Sequence, residues 1–161
     1  MPQFQTTRRV RHSAADMFAL VADVEKYPLF LPMCTGLRIR RRQTDAQGND
    51  VLIGEMSVGY KAIRESFTSK VTLDRPGQRI VVEYIDGPFS RLENVWTFRD
   101  AAADGSTSDV DFSIDYEFRS RMLGIVMGGL FDTAFRRFAE AFERRADLVY
   151  GVASRRSAPA T

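Results

Sequence analysis

The chain has 161 residues, a length typical of one globular domain that buries a core without crosslinks. Its formal net charge of +2 does not indicate nucleic-acid binding, and one cysteine with one histidine cannot form an internal disulfide or a standard zinc site. The single cysteine and the polar, alternating first residues, which do not form a secretory signal, predict a cytoplasmic protein.

The first predicted helix follows a short strand at residues 3–10, where the residues are compatible with β structure. Ser13, with Asp16 three residues later, is typical of a helix N-terminus. The apolar stripe that follows is interrupted at Tyr27 and Pro28. His12 lies beside the helix start, and we expect it on the surface rather than in a catalytic role.

From residue 37 to residue 118 the chain alternates between apolar and polar residues, which is typical of half-buried strands. Turn-forming sequences at 45–50, 75–78 and 86–88 separate these strands. The clearest alternation covers residues 110–118. We therefore predict about six antiparallel strands after the first helix.

Two polar residues fall on the apolar faces of predicted strands. Glu65 has the same phase as Phe67, and Asn94 has the same phase as Trp96. Bulges or register shifts explain such residues more often than function does. If both point inward, they supply the few polar contacts of an apolar pocket.

The last long segment, residues 120–150, predicts an amphipathic helix about 45 Å long. Its apolar face is marked by phenylalanines at helical spacing, namely Phe131, Phe135, Phe138 and Phe142. One helix lying across one antiparallel sheet is an α+β arrangement. We predict a single domain over residues 1–150 and a flexible tail over 151–161.

The first half of this helix contains Gly124, Gly128 and Gly129, each of which costs about 1 kcal/mol of helix propensity. Two interpretations have equal weight. The glycines allow close packing on a strand, or they leave room for a ligand or for hinge motion. The apolar run of about ten residues is too short to span a membrane.

No catalytic constellation is present, because the chain lacks a nucleophile elbow, a phosphate-binding loop and a dinucleotide fingerprint. The arginines in residues 8–11 and 38–42 form a basic patch only if their strands are neighbours. We favour a solvated face in which arginines pair with acidic rows such as Asp109, Asp111 and Asp115.

Three segments of the chain form a recognisable set: VEKYPLFLPMC at 24–34, DGPFSRL at 86–92 followed by Trp96 and Phe98, and AFERRA at 141–146. Together they resemble the coenzyme Q-binding proteins of the START-like (polyketide cyclase and lipid transport) superfamily, which includes the bacterial ribosome-association toxin group. The resemblance covers nearly the whole chain. Met33 departs from it, because the family commonly has tryptophan before the cysteine.

The resemblance implies a helix-grip fold, in which a curved antiparallel sheet wraps around the long C-terminal helix and encloses an apolar cavity. It implies non-enzymatic binding of ubiquinone or a related polyprenyl lipid, as a carrier or chaperone supporting respiration and ubiquinone biosynthesis. It implies no required cofactor or metal, no DNA partner, and transient contact with the inner membrane surface. The toxin group instead implies a ribosomal subunit as the partner, whose association the protein blocks. A polyketide-cyclase-like enzyme is a third alternative, but the sequence lacks a convincing acid and base.

The expected ligand-binding residues come from these segments, from the two polar strand positions and from the glycine-bearing half of the helix. They are Phe30, Leu31, Pro32, Cys34, Glu65, Phe89, Asn94, Trp96, Val126, Leu130, Phe131 and Phe135.

Overall fold

The computed structural model describes residues 3–60 and 63–151. In chain order its elements are β1 Gln3–Val10, α1 Ala14–Ala22, a 3₁₀ helix Val24–Leu29, β2 Cys34–Thr44, β3 Asp50–Tyr60, β4 Ile63–Asp74, β5 Arg79–Asp86, β6 Phe89–Asp100, β7 Ser108–Phe118 and α2 Arg121–Tyr150. Within these residues the strands form a seven-stranded sheet in the order β1-β7-β6-β5-β4-β3-β2. All neighbouring strands are antiparallel, and the prediction of six strands after the first helix is confirmed.

Side-chain caps fix the starts of both helices where the sequence predicts them. The Ser13 hydroxyl accepts a hydrogen bond from the Asp16 N–H at 3.0 Å, and the Ser120 hydroxyl accepts one from the Leu123 N–H at 3.2 Å. The helix α2 ends at Gly151, which adopts a φ of 80° that only glycine tolerates easily.

Helix α2 lies against the curved sheet and supplies one wall of the core. Phe142 packs on Trp96 of β6 at a ring distance of 5.0 Å, and Phe131 packs on Phe118 of β7 at 5.3 Å. The side of α2 that faces the sheet is defined by its buried residues, Met127, Phe131, Ala134, Phe135, Ala139, Phe142 and Ala146. The predicted α+β helix-grip architecture is confirmed.

His12 is fully buried, so the prediction of a surface histidine is wrong. Its Nε2 atom lies 2.6 Å from Oδ1 of Asp147, and its ring lies 6.0 Å from the ring of Tyr150. The Tyr150 hydroxyl donates a hydrogen bond to the carbonyl oxygen of Asp16 at 3.1 Å. These contacts attach the C-terminal end of α2 to the connection between β1 and α1.

The arginine rows of β1 and β2 lie on opposite edges of the sheet and do not form a patch of neighbouring strands. Arginines of β1 and β6 instead contact the acidic row of β7. Arg9 donates to Asp109 at 2.9 Å, and Arg99 lies 2.8 Å from Asp111. The favoured interpretation, a solvated face with paired charges, is confirmed for these strands.

The division into a domain over 1–150 and a tail over 151–161 stays a prediction, because residues 152–161 lie outside the described part of the chain. Among the residues that are described, no helix combines the length and the apolar composition needed to cross a membrane.

Candidate functional site

An apolar cavity of about 120 Å³ lies between α2 and the sheet. Its wall contains no charged side chain among the described residues. The 27 lining residues are Val24, Tyr27, Leu31, Pro32, Met33, Cys34, Leu37, Leu52, Gly54, Met56, Val58, Phe67, Ser69, Val71, Ile80, Val82, Phe89, Leu92, Asn94, Trp96, Phe112, Ile114, Phe131, Ala134, Phe135, Phe138 and Phe142. The interior is therefore suited to an uncharged, largely apolar molecule.

The cavity follows from two periodicities that meet across the core. On the strands every second residue faces it, as at Phe67, Ser69 and Val71 of β4. On α2 the lining residues recur at steps of three and four, from Phe131 to Phe142. Alternation along the sheet and a helical stripe thus form opposite walls of one space.

Two groups of aromatic rings lie along α2 where it lines the cavity. Phe142 makes edge-to-face contacts with Tyr27 at 5.2 Å and with Trp96 at 5.0 Å. About eleven residues earlier on the helix, Phe131 packs beside Phe89 at 5.8 Å, and Phe89 stacks on Phe118 at 4.9 Å. At 1.5 Å per residue the two groups are separated by about 16 Å along the helix axis.

The polar atoms of the wall differ in whether the protein satisfies them. Asn94 donates from Nδ2 to the Ser113 carbonyl oxygen at 2.8 Å, and its Oδ1 accepts from the indole N–H of Trp96 at 3.0 Å. The Tyr27 hydroxyl donates to the carbonyl oxygen of Val21. The hydroxyl of Ser69, in contrast, is buried without any hydrogen-bond partner.

The two titratable groups in the wall, the Tyr27 phenol and the Cys34 thiol, are held in their neutral forms. Burial raises the pKa of Tyr27 far above its usual range, and the neighbouring Cys34 adds to the shift. Burial also raises the pKa of the Cys34 thiol, and the backbone of Gly36 partly offsets this rise. The neutral thiol donates a weak hydrogen bond to the Gly36 carbonyl oxygen at 3.6 Å. The wall therefore carries no ionised group near neutral pH.

Met33, the residue that departs from the family resemblance, lies in the cavity wall with a φ of 66°. A bulky residue rarely adopts this left-handed conformation, which costs about 1–3 kcal/mol. The carbonyl oxygen of Met33 accepts a hydrogen bond from the Gly59 N–H at 3.0 Å, which holds the conformation in place.

Eight of the twelve expected ligand-binding residues line the cavity. They are Leu31, Pro32, Cys34, Phe89, Asn94, Trp96, Phe131 and Phe135. The structure thus brings together residues from the loop before β2, from β6 and from α2. Their contact with a ligand stays a prediction.

The other four expected residues lie outside the wall. Phe30 packs behind it, 5.1 Å from the ring of Phe142, with the Arg145 guanidinium 5.4 Å above its own ring. Glu65 is paired with the cavity residue Val58, but it lies nearer the start of β4 than Phe67, where the lining of that strand begins.

Val126 and Leu130 have the wrong helical phase to reach the cavity. Each immediately precedes an inward-facing residue, Met127 or Phe131, and one step along a helix rotates the side chain by about 100°. Val126 is accordingly 54% exposed and Leu130 only half-buried. The sequence could not show which side of the helix faces inward here, because too few polar residues mark the outward side.

The glycines in the first half of α2 are not explained by close packing. A Cβ atom at Gly128 or Gly129 would have no other atom within 4 Å, and one at Gly124 would make ordinary contact with Phe118 at 3.7 Å. Close packing is therefore wrong for Gly128 and Gly129. Neither glycine lines the cavity, so room for a ligand beside them and hinge motion both stay predictions.

Ser69 and Gly54 are the cavity residues of most chemical interest that the sequence interpretation missed. Ser69 shares the two-residue period of Phe67 and Val71, which is the signal that would have identified it. Among the described residues there is no cluster of three or more histidine, cysteine or acidic side chains that could hold a metal ion.

A family profile, curated relatives and solved structures all relate this chain to the same group of proteins. The family profile described as polyketide cyclase / dehydrase and lipid transport matches residues 10–143. The chain is 34% identical to the ribosome association toxin RatA of Vibrio cholerae, covering 94% of this chain and 99% of that protein. It is 26% identical to a mitochondrial coenzyme Q-binding protein COQ10 homolog B of Xenopus laevis, covering 92% of this chain and 59% of that one. A START superfamily protein from Mycobacterium smegmatis has the same fold, with a TM-score of 0.75 at 20% identity over 91% of this chain and 98% of the other.

Proposed function

The chain belongs to the polyketide cyclase / dehydrase and lipid transport family, and from that membership we propose that it binds a neutral hydrophobic molecule of the polyprenyl quinone class in the cavity. It acts as a carrier or chaperone of this ligand. The observation that carries the proposal is the cavity wall, in which 27 residues contribute no charged side chain. The similarity to a coenzyme Q-binding protein supports a quinone as the ligand.

The size of the cavity limits which part of such a ligand lies inside. A volume of about 120 Å³ is below the 300–1,000 Å³ or so that is usual for sites enclosing a drug-sized molecule. A ring headgroup is therefore the part that we place in the cavity, and a long tail requires an opening. Gly128 and Gly129 lie in open space, so the first half of α2 is the element that we propose moves to admit the tail.

We propose binding rather than catalysis because of the state of the titratable groups in the wall. A general acid or base works best when its pKa lies near the working pH. Burial raises the pKa of both Tyr27 and Cys34, which moves them away from neutral pH. A cyclase-like reaction would need a proton carrier from elsewhere in the chain.

A membrane surface is the proposed site of ligand exchange. The first two turns of α2 expose Met122, Ile125 and Val126, whose exposed fractions are 75%, 77% and 54%. Arg121 is exposed beside them. Apolar side chains flanked by arginine favour binding to anionic lipid.

This surface lies next to the cavity. A Cβ atom at Gly124 would lie 3.7 Å from the Phe118 side chain, and Phe118 stacks on Phe89 in the cavity wall. A protein bound to lipid through these turns would hold the loosely packed part of α2 at the membrane.

Binding to a ribosomal subunit is the second candidate, and it is supported by the 34% identity to a ribosome association toxin. The arginines of β2 form the surface that would contact ribosomal RNA. Arg38 and Arg40 already contact Glu55, and Arg42 contacts Glu25. These ion pairs are exposed and therefore weak, so RNA phosphates could displace them.

Sucrose-gradient sedimentation distinguishes the two candidates. If the ribosome is the partner, added protein separates the ribosomal subunits at low salt, and replacement of Arg40, Arg41 and Arg42 by glutamine removes the effect. Unchanged subunit association at low and moderate salt would eliminate this candidate.

The lipid proposal is tested by organic extraction of the purified protein followed by mass spectrometry. We expect a polyprenyl quinone in the extract at a substantial fraction of the protein concentration. An extract without lipid, from a protein that also fails to take up added quinone, would refute the proposal.

A further inference from the structure

The hydroxyl of Ser69 is a polar atom that the fold leaves unsatisfied inside the cavity wall. The residue is 5% exposed, it lines the cavity, and its Oγ has no hydrogen-bond partner. Buried hydroxyl groups nearly always find a partner, because burial without one is destabilising. An exception that faces a cavity indicates that the partner is a bound molecule.

The backbone around Ser69 leaves space for that molecule. Gly54 of β3 is paired directly with Ser69 and also lines the cavity. A Cβ atom at Gly54 would meet nothing nearer than the Arg38 carbonyl oxygen at 3.9 Å. The absent side chain therefore forms a notch in the apolar wall beside the Ser69 hydroxyl.

Other polar side chains of the wall and of the neighbouring strand are already engaged. Both polar atoms of the Asn94 amide have partners, and the Tyr27 hydroxyl donates to a backbone carbonyl. Tyr84, which is paired with Ser69 on the other side, accepts a hydrogen bond from the Phe89 N–H at 3.1 Å. Ser69 thus differs from them in having no protein partner.

We infer that the Ser69 hydroxyl binds a carbonyl or hydroxyl oxygen of the ligand in the notch beside Gly54. This inference rests on the proposed function and makes the ligand class more specific. No described residue of the wall supplies a cation to balance a carboxylate or phosphate, so the oxygen belongs to a neutral group. A ring ketone or quinone fits these conditions, whereas a fatty acid, a phospholipid headgroup or a plain hydrocarbon does not.

The test compares two probes that differ in their oxygens, 2-decyl-1,4-benzoquinone and decylbenzene, by isothermal titration calorimetry. The variant is Ser69→Ala, and the matched control is Ser66→Ala, on the exposed face of the same strand. We expect Ser69→Ala to weaken benzoquinone binding about tenfold, the loss of one hydrogen bond to a buried group, and to leave decylbenzene binding unchanged. The control should change neither affinity.

Thermal unfolding provides a second measurement. Because Ser69→Ala removes an unsatisfied buried hydroxyl, the melting temperature of the free variant should equal or exceed that of the wild type.

Each other outcome overturns the inference in a recognisable way. Equal benzoquinone affinity in the wild type and Ser69→Ala would refute the role of Ser69 and leave the carrier proposal intact. Equal weakening of both probes would show that Ser69 contributes packing rather than a hydrogen bond. If the wild type binds neither probe, the proposed function fails and the inference fails with it.

Discussion

Replacement of Phe142 by alanine is the perturbation for which the structure gives the largest stability effect. The side chain is 2% exposed and lies against the rings of Tyr27, Phe30 and Trp96 at 5.0–5.2 Å. Truncation of a buried phenylalanine costs about 3–5 kcal/mol. We expect about 4–5 kcal/mol here, since edge-to-face ring contacts contribute beyond the buried area and the adjoining cavity limits relaxation.

Such a loss should be measurable without unfolding the protein, because domains of this size are commonly stable by about 5–15 kcal/mol. At about 2–4 °C for each kcal/mol, the melting temperature should fall by about 8–20 °C. The assay is urea unfolding followed by circular dichroism. Leu148→Ala is the control on the same helix, because Leu148 is 75% exposed and its truncation should change stability by less than about 0.5 kcal/mol.

Phe142→Ala should strengthen ligand binding although it lowers the stability of the free protein. Phe142 lines the cavity, so its truncation enlarges the space available to a hydrophobic molecule. Added 2-decyl-1,4-benzoquinone should therefore restore part of the lost stability. A loss no larger than that of Leu148→Ala, below about 0.5 kcal/mol, would show that α2 is not packed across the sheet as described.

Three further predictions follow from the wall and the surface. Burial raises the pKa of Cys34 and of Tyr27, so the folded state keeps both groups protonated to a higher pH than the unfolded chain does. Their contribution to stability is therefore complete below the ordinary thiol pKa of 9.0 and is lost as the pH rises toward the raised values. Urea unfolding from pH 7 to pH 11 should show this loss of stability, and the loss should be less steep in Cys34→Ala. Ile125→Asn should reduce cosedimentation with vesicles containing anionic lipid, whereas Leu148→Asn at the other end of the helix should not; equal binding of both would contradict the membrane surface. Gly54→Val should fill the notch and weaken benzoquinone binding without lowering the melting temperature, and unchanged affinity would place the ligand elsewhere.

The strands and the long helix could be predicted because their signals are local. Alternation in 110–118 fixes which side of β7 is buried, and the spacing from Phe131 to Phe142 fixes one face of α2. The resemblance added the way in which these elements fold together. The eight expected residues that line the cavity are those whose phase is marked by polar neighbours or by the motif segments.

The sequence interpretation missed features that depend on contacts between residues distant in the chain, or on a helix face that the pattern of apolar residues does not define. His12 is buried because of Asp147, which lies 135 residues away. In the first half of α2 most side chains are apolar, so Val126 could not be distinguished from Met127 by pattern. The unsatisfied hydroxyl of Ser69 is visible only once its neighbours are known, since nothing in the sequence shows which serines lack partners.

The most direct measurement of the central claim is a fluorescence titration of the protein with 2-decyl-1,4-benzoquinone. Trp96 is the single tryptophan of the chain and lies in the cavity wall, so its emission reports on that space. Binding in the cavity predicts saturable quenching at one quinone per chain, and Ala134→Phe, which fills the same wall from α2, should abolish it. Quenching that does not saturate, or that persists unchanged in Ala134→Phe, would contradict the account.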